Sequence, residues 1–346
     1  MVMTMAGAGA AVLWKRALYA VLLALAVLFP AVAPNDYAVY VMALAYIMAI
    51  AAIGLNLISG YTGQLNLAHA GFMAVGAYTV GILTVDHGVP YWIAFSLAGF
   101  VAAGVGLLAG LVSLRLKGHY FSIFTLCVGF IMYLVIEKWD GLTHGPVGLI
   151  GVPAPSSIGP VGFGSTYAQY YLVLFFLVIG LWVMSRIVNS LLGRAFVAIR
   201  NSEELAEALG INLMRSKVLA FVLSTFYAGV AGALYAGFVR FLGPDIASET
   251  HTFDMIAFLL VGGIGTLFGP VLGGVLLTWI TQSLQFLQDF RMIVFGPLLI
   301  LLVMFFPQGI IGFLDERRAR RAAAAAAVRS AQEPDRRSSK QARANA

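Results

Sequence analysis

Asn56, Gln64, Asn66, His69 and Tyr78 crowd polar chemistry into one stretch of an otherwise apolar chain, and Thr250, His251 and Asp254 form a second such group. Inside hydrocarbon a polar side chain needs a partner or a solvated cavity. Each group is therefore either a set of hydrogen bonds stapling helices together or a surface that touches a solute. Asn66 and His69, three residues apart, are spaced to share a helix face. Asp254, near the end of its apolar run, is read as a water-exposed helix cap in preference to a proton relay. No file of further acidic residues lies deep in the apolar runs, which argues against proton-coupled transport.

Covalent and metal catalysis find no support. His69, His87, His119, His144 and His251 have no metal-ligand spacing, and neither Gly-x-Ser-x-Gly nor His-Glu-x-x-His occurs. The phosphate-binding Gly-x-x-x-x-Gly-Lys-Ser/Thr pattern is also missing. No catalytic residue, metal or cofactor is expected on this chain; if transport consumes ATP, another chain supplies the ATPase. Cys127, the single cysteine, permits neither an internal disulfide nor a cysteine metal cluster and reads as a packing residue.

A third group is charged. Between Asn189 and Lys217 the chain carries Arg194, Arg200, Glu203, Glu204, Glu207 and Arg215. Asn201 is placed to cap a helix, with Glu204 at the spacing of a capping box and the glutamates near the positive helix end. Gly210 suits the position that stops the helix. The expectation is a helix of about two turns, Ser202 to Leu209, with Leu205, Ala206, Leu209 and Ile211 as its apolar side and Asn212 capping the next helix. A helix that short is marginal alone. It needs the membrane domain or a partner's groove to hold it; a helix lying at the lipid headgroups is the plainer alternative.

The elements that must position these groups are membrane helices. Of 346 residues, 61% are hydrophobic and 10% charged, far more apolar than a soluble domain. Period-2 alternation is missing, which excludes a barrel. Ten spans are read at 17–33, 37–58, 67–85, 91–114, 119–137, 169–188, 217–239, 252–266, 268–288 and 292–314. Residues 1–16 form a cytoplasmic N-terminus, 17–314 the transmembrane domain and 315–346 a basic, disordered cytoplasmic tail. With the N-terminus inside, only Lys138, Arg240 and Arg291 of the 21 Lys and Arg residues fall outside. Both termini are then cytoplasmic. Lys15-Arg16, the first apolar run and Ala31-Val-Ala33 also resemble a signal peptide, whose cleavage would leave the other spans oriented as before.

The net charge of +6 sits beside the inner leaflet, which points to lipid and not to nucleic acid. Ser59–Asn66 and Gly262–Pro270 each put a Gly-rich, partly polar bend between apolar runs, on the same side of this topology. Broken or re-entrant backbone of that kind is tolerated where it lines a cavity or is buried in protein. Gly60, Gly63, Gly262 and Gly265 therefore join Asn56, Gln64, Asn66, His69, Tyr78 and Asp254 as candidates for a translocation path. A matching pair of interrupted segments also hints at an internal duplication. The outer loop from Lys138 to Gln169 has room to meet a partner or is simply a long connection.

Several blocks of residues carry a resemblance. Glu204-Leu-Ala206-x-x-x-Gly210 resembles the loop by which ABC importer permeases dock on their ATPases. Gly54 through Tyr78 is similar to the first block of the branched-chain amino acid permease family, closer to its LivM-type than its LivH-type subunit. Gly193-Arg-Ala-x-x-Ala-Ile-Arg200, Ala228-Gly-Val-Ala-Gly-Ala-Leu-Tyr235 and Phe306-Pro-Gln-Gly309 resemble later blocks. Leu205 and Ala220 depart from the general loop pattern, so the loop is the family's own variant. The resemblance implies an all-α polytopic membrane protein with a cytoplasmic coupling helix, in which Asn201, Glu203, Glu204, Ala206, Glu207 and Gly210 couple to an ATPase. It implies a LivH-type permease partner, two ATPases carrying ATP and magnesium, and an extracytoplasmic solute-binding protein, all at the bacterial inner membrane. The same architecture serves urea and short amides, so the solute stays open; a self-sufficient secondary transporter or channel is the competing class.

Overall fold

The computed structural model describes residues 21, 23–116, 118–157, 159, 162–283, 304 and 309–312. Among them, five helical stretches are long and apolar enough to cross a membrane: Asp36–Tyr61, Tyr91–Ser113, His119–Lys138, Thr166–Val188 and Leu213–Val239. In chain order the helices are α1 (Leu23–Val32), α2 (Asp36–Leu55), α3 (His69–Val85), α4 (Tyr91–Ser113), α5 (His119–Lys138) and the single turn α6 (Asp140–Thr143). They continue with α7 (Thr166–Val188), α8 (Leu191–Asn201), α9 (Glu203–Ala208), α10 (Leu213–Val239), α11 (Glu249–Gly262) and α12 (Gly269–Ser283). A two-stranded antiparallel ribbon pairs β1 (Leu149–Ile150) with β2 (Phe241–Leu242).

Of the expected spans, 67–85, 252–266 and 268–288 are shorter in the described residues than a full crossing. Helix α11 has 14 residues, about 21 Å at the helical rise, against the roughly 30 Å of hydrocarbon. Most of the last span, the N-terminal 1–16 and the tail 315–346 lie outside the described residues.

The core forms around α2, α3 and α10, which bury most of their length. Small residues permit this. A Cβ on Gly76 of α3 would strike the Gly229 backbone of α10, and one on Gly106 of α4 would strike Thr225. Backbones thus approach closely enough for dispersion to hold helices in lipid, where no hydrophobic effect drives them together. Helices α4, α5 and α7 bury only a stripe each and turn long apolar side chains outward, as lipid-facing helices do. Cys127 is among the outward-facing residues of α5, contrary to its expected place in the packing.

Candidate functional site

The charged segment folds as two helices set at an angle. Ser190 caps α8, its Oγ accepting from Leu192 N at 3.2 Å. Gly193, Phe196 and Ile199 give α8 one buried face at helical spacing, while Leu191, Leu192 and Val197 stay exposed. Asn201 is not a cap. It completes the last turn of α8, and Ser202 turns extended (φ −163°) and caps α9 instead, accepting from Leu205 N at 3.2 Å. The expected Asn201–Glu204 capping box is therefore replaced by a single serine cap, with Glu203 and Glu204 in the first turn of a six-residue helix.

Gly210 ends α9 as expected. Its φ of +83° is a left-handed value that costs glycine little. Gly210 N donates to Glu207 O at 2.9 Å and Ile211 N to Ala206 O at 3.0 Å, the paired bonds of a Schellman stop. Asn212 then caps α10, accepting from Arg215 N at 3.0 Å. Only Ala206 of the expected apolar side is buried; Leu205 and Leu209 are 62% and 71% exposed beside exposed Glu204 and Glu207. A short helix that presents two leucines and two carboxylates outward is shaped for something to cover it.

Both Gly-rich bends reach this same end of the molecule. Helix α2 runs into a π-helical turn, Asn56–Tyr61. From inside that turn Asn56 Nδ2 donates to Thr266 O at 2.7 Å, and Asn56 Oδ1 accepts from Gly265 N at 2.9 Å. One amide thus satisfies a donor and an acceptor of the second bend. Gly60 and Gly265 are glycines because their backbones meet: a Cβ on Gly60 would strike Asn56 Oδ1 and Gly265 N. Gly262 is packed as tightly against the Gly269 backbone, which closes the turn between α11 and α12. Arg200, at the end of α8, lies against Gly63 and Gly265 together. Gln64 Nε2 donates to Glu203 Oε1 at 3.0 Å, and Lys217 Nζ donates to the same oxygen at 2.6 Å. The first bend, the second bend and α9 are one connected polar unit.

After Thr62 the chain turns back and α3 starts at the level of Ala51, whose carbonyl contacts His69 Nε2 at 2.8 Å. Ten residues separate Ala51 from Tyr61, about 15 Å of helix, so α3 begins well inside the length that α2 spans. Asn66 is not on a helix face with His69. It precedes α3, and its Oδ1 accepts from Ala68 N at 3.0 Å. Ser59 Oγ accepts from Asn66 N, Thr125 Oγ1 from Leu67 N and Thr252 Oγ1 from Ala70 N, so the break is stapled by hydroxyls from three other elements. Asn66 Nδ2 and His69 Nδ1 are fully buried and find no partner. The contact from Thr252 places the start of α11 at the same depth, opposite the start of α3.

Two candidates stand elsewhere. Tyr78 does not join the first bend; nine residues along α3, about 13 Å on, its hydroxyl donates to Leu242 O of β2 at 3.1 Å. Asp254 does not cap α11, whose first residue is Glu249; it sits in the second turn, with Oδ2 4.0 Å from His251 Nδ1. In the sequence Arg200 and Lys217 read only as charges flanking the short helix, and Thr266 carried no signal. Lys217 carried a usable signal: a lysine opening an apolar run is either snorkelling or paired, and at 4% exposure it is paired.

Long apolar helices, two broken segments joined at one end and an exposed short helix beside them define an integral membrane permease. Residues 37–303 match the family described as branched-chain amino acid transport system / permease component, and the chain belongs to that family. As a permease component it is not an enzyme. It is 32% identical over 320 residues to the high-affinity branched-chain amino acid transport system permease protein LivM of Escherichia coli (strain K12), covering 86% of this chain and 75% of that one. It is 28% identical over 289 residues to LivH of the same organism, covering 76% and 91% of the two chains. The autoinducer 2 import system permease protein LsrC of Enterobacter sp. (strain 638) is 30% identical over 255 residues, 70% of each chain. No solved structure matches the chain.

Proposed function

We propose that this chain is the LivM-type permease subunit of an ATP-driven importer of branched-chain amino acids in the bacterial inner membrane. The observation that carries the reading is α9: a helix capped at Ser202, stopped at Gly210, with Leu205 and Leu209 exposed and its base tied to the first broken segment through Glu203 and Gln64. In this reading α9 is the coupling helix and its outer face meets one of two ABC ATPases, which bind the ATP and magnesium. A LivH-type subunit completes the membrane pair, and a solute-binding protein delivers cargo at the opposite end. There Trp139, Val147 and Ile150 are exposed on a loop pinned to the body by Trp92 Nε1 donating to Ser156 O. The chain would cross the membrane ten times with both termini cytoplasmic.

The test is uptake in proteoliposomes by the two permease subunits and two ATPases, with the solute-binding protein added. Leucine, isoleucine and valine are expected to enter only with ATP and the solute-binding protein. Glu204→Lys and Gly210→Leu are expected to leave the chain in the membrane while lowering solute-stimulated ATP hydrolysis at least about tenfold, the effect of losing a docked helix worth roughly 1.4 kcal/mol. Uptake by the chain alone without ATP would overturn the importer reading. Uptake of urea, short amides or autoinducer 2 in place of aliphatic amino acids would overturn the solute.

A further inference from the structure

Glu203 is the residue of α9 that faces inward with a charge, its side chain 25% exposed against 5% for Lys217. A lysine that deeply placed is costly without its carboxylate, so the pair is a fixed one, unlike the loose ion pairs of a protein surface. The oxygen that holds Lys217 Nζ also holds Gln64 Nε2 of the first bend. From there the π-helical turn leads to Asn56, whose amide grips Gly265 N and Thr266 O of the second bend. The contact surfaces along this route are glycine backbones, Gly60 against Gly265. Across that close backbone contact the polar bonds of Asn56 tie one bend to the other. The two bends lead into α3 and α12, and the second also ends α11.

We propose that Glu203, Gln64 and Asn56 are positioning residues for transport: a polar linkage that hands the movement of α9 to both broken membrane segments at once. It rests on the reading of α9 as the coupling helix. Lys217 fixes the Glu203 carboxylate so that it follows α9 and α10 together, and Arg200 packs against Gly63 and Gly265 from the α8 side. Cutting the linkage leaves the ATPase docked but lets α9 move without the membrane breaks.

The readout is ATP hydrolysed per solute imported by the complete assembly in proteoliposomes. E203Q, Q64A and N56A are each expected to assemble and hydrolyse ATP, with the ratio raised about fivefold by loss of coupling energy. The reversed pair E203K/K217E restores opposite charges at the same positions, and Gln64 can turn its carbonyl to the new lysine; it is expected to return the ratio to that of the wild type. A ratio unchanged in E203Q and N56A overturns the linkage. So does a reversed pair that assembles yet stays as uncoupled as E203Q, which also decides the matter if a single variant fails to assemble. Failure of the importer reading looks different: the wild-type assembly itself then shows no solute-stimulated hydrolysis.

Discussion

Asn56 shows how one side chain can do structural work that neither bend does alone. Its amide offers one donor and one acceptor, and the second bend, whose tight turn leaves Gly265 N and Thr266 O without helical partners, takes both. Replacing Asn56 by alanine is expected to leave those backbone groups unsatisfied, at a cost of roughly 1–3 kcal/mol. Unfolding of the purified chain in a denaturing-detergent titration measures it; a variant as stable as the wild type would mean that water serves equally well. His69 and Asn66 follow the same logic in part. Asn66 spends one polar atom on the break and His69 one on the α2 backbone at Ala51, and each keeps another, Nδ2 and Nδ1, buried without a partner. Their presence near the first bend was legible from sequence. Their lack of a shared helix face was not, because α3 starts only at His69 and the residues before it are not helical.

At the level of elements, the glycines sort into two kinds that composition cannot separate. Gly76 of α3 lies against the Gly229 backbone, whereas Gly104 of α4 faces open space with nothing within 4 Å of a Cβ. Gly76→Val is expected to force α3 and α10 apart, costing roughly 1–3 kcal/mol or more as overpacking does. Gly104→Val is expected to be tolerated, since its side chain would point into lipid. The amount of monodisperse protein extracted in mild detergent checks the pair, and equal yields would contradict the packing described. The short helix α9 belongs to this scale as well. Its stop at Gly210 and the next cap at Asn212 were readable because both rest on local backbone chemistry. The start moved by one residue, from Asn201 to Ser202, because α8 has a claim on Asn201 for its own last turn: Ser202 N donates to Ala198 O.

For the whole molecule, the charge distribution carries orientation information that the packing of the chain does not contain. Arg194, Arg200, Arg215 and Lys217 lie in or beside α8 and α9, which supports the proposed cytoplasmic placement of that end. In a C127S background, Val147→Cys is expected to react with a membrane-impermeant maleimide added to intact spheroplasts, and Leu209→Cys only after permeabilisation. Both positions are exposed in the chain, 69% and 71%, so when it is expressed without its partners accessibility differs only by side of the membrane. The opposite pattern would invert the topology and remove the ATPase from α9.

Helical membrane class, the family, the two Gly-rich bends and the existence and stop of α9 were all determined by the sequence itself. Each depends on composition or on residues within a few positions of one another: apolar runs, a cap, a left-handed glycine. Only the tertiary structure decided that the two bends grip each other across 209 and 210 residues of chain through Asn56, that Lys217 and Gln64 converge on Glu203, and that the Tyr78 hydroxyl bonds Leu242 O and not the first bend. Such long-range pairing follows from which glycines let backbones come close and which hydroxyls meet the broken segments. That information is shared among several helices and belongs to no one stretch of the chain.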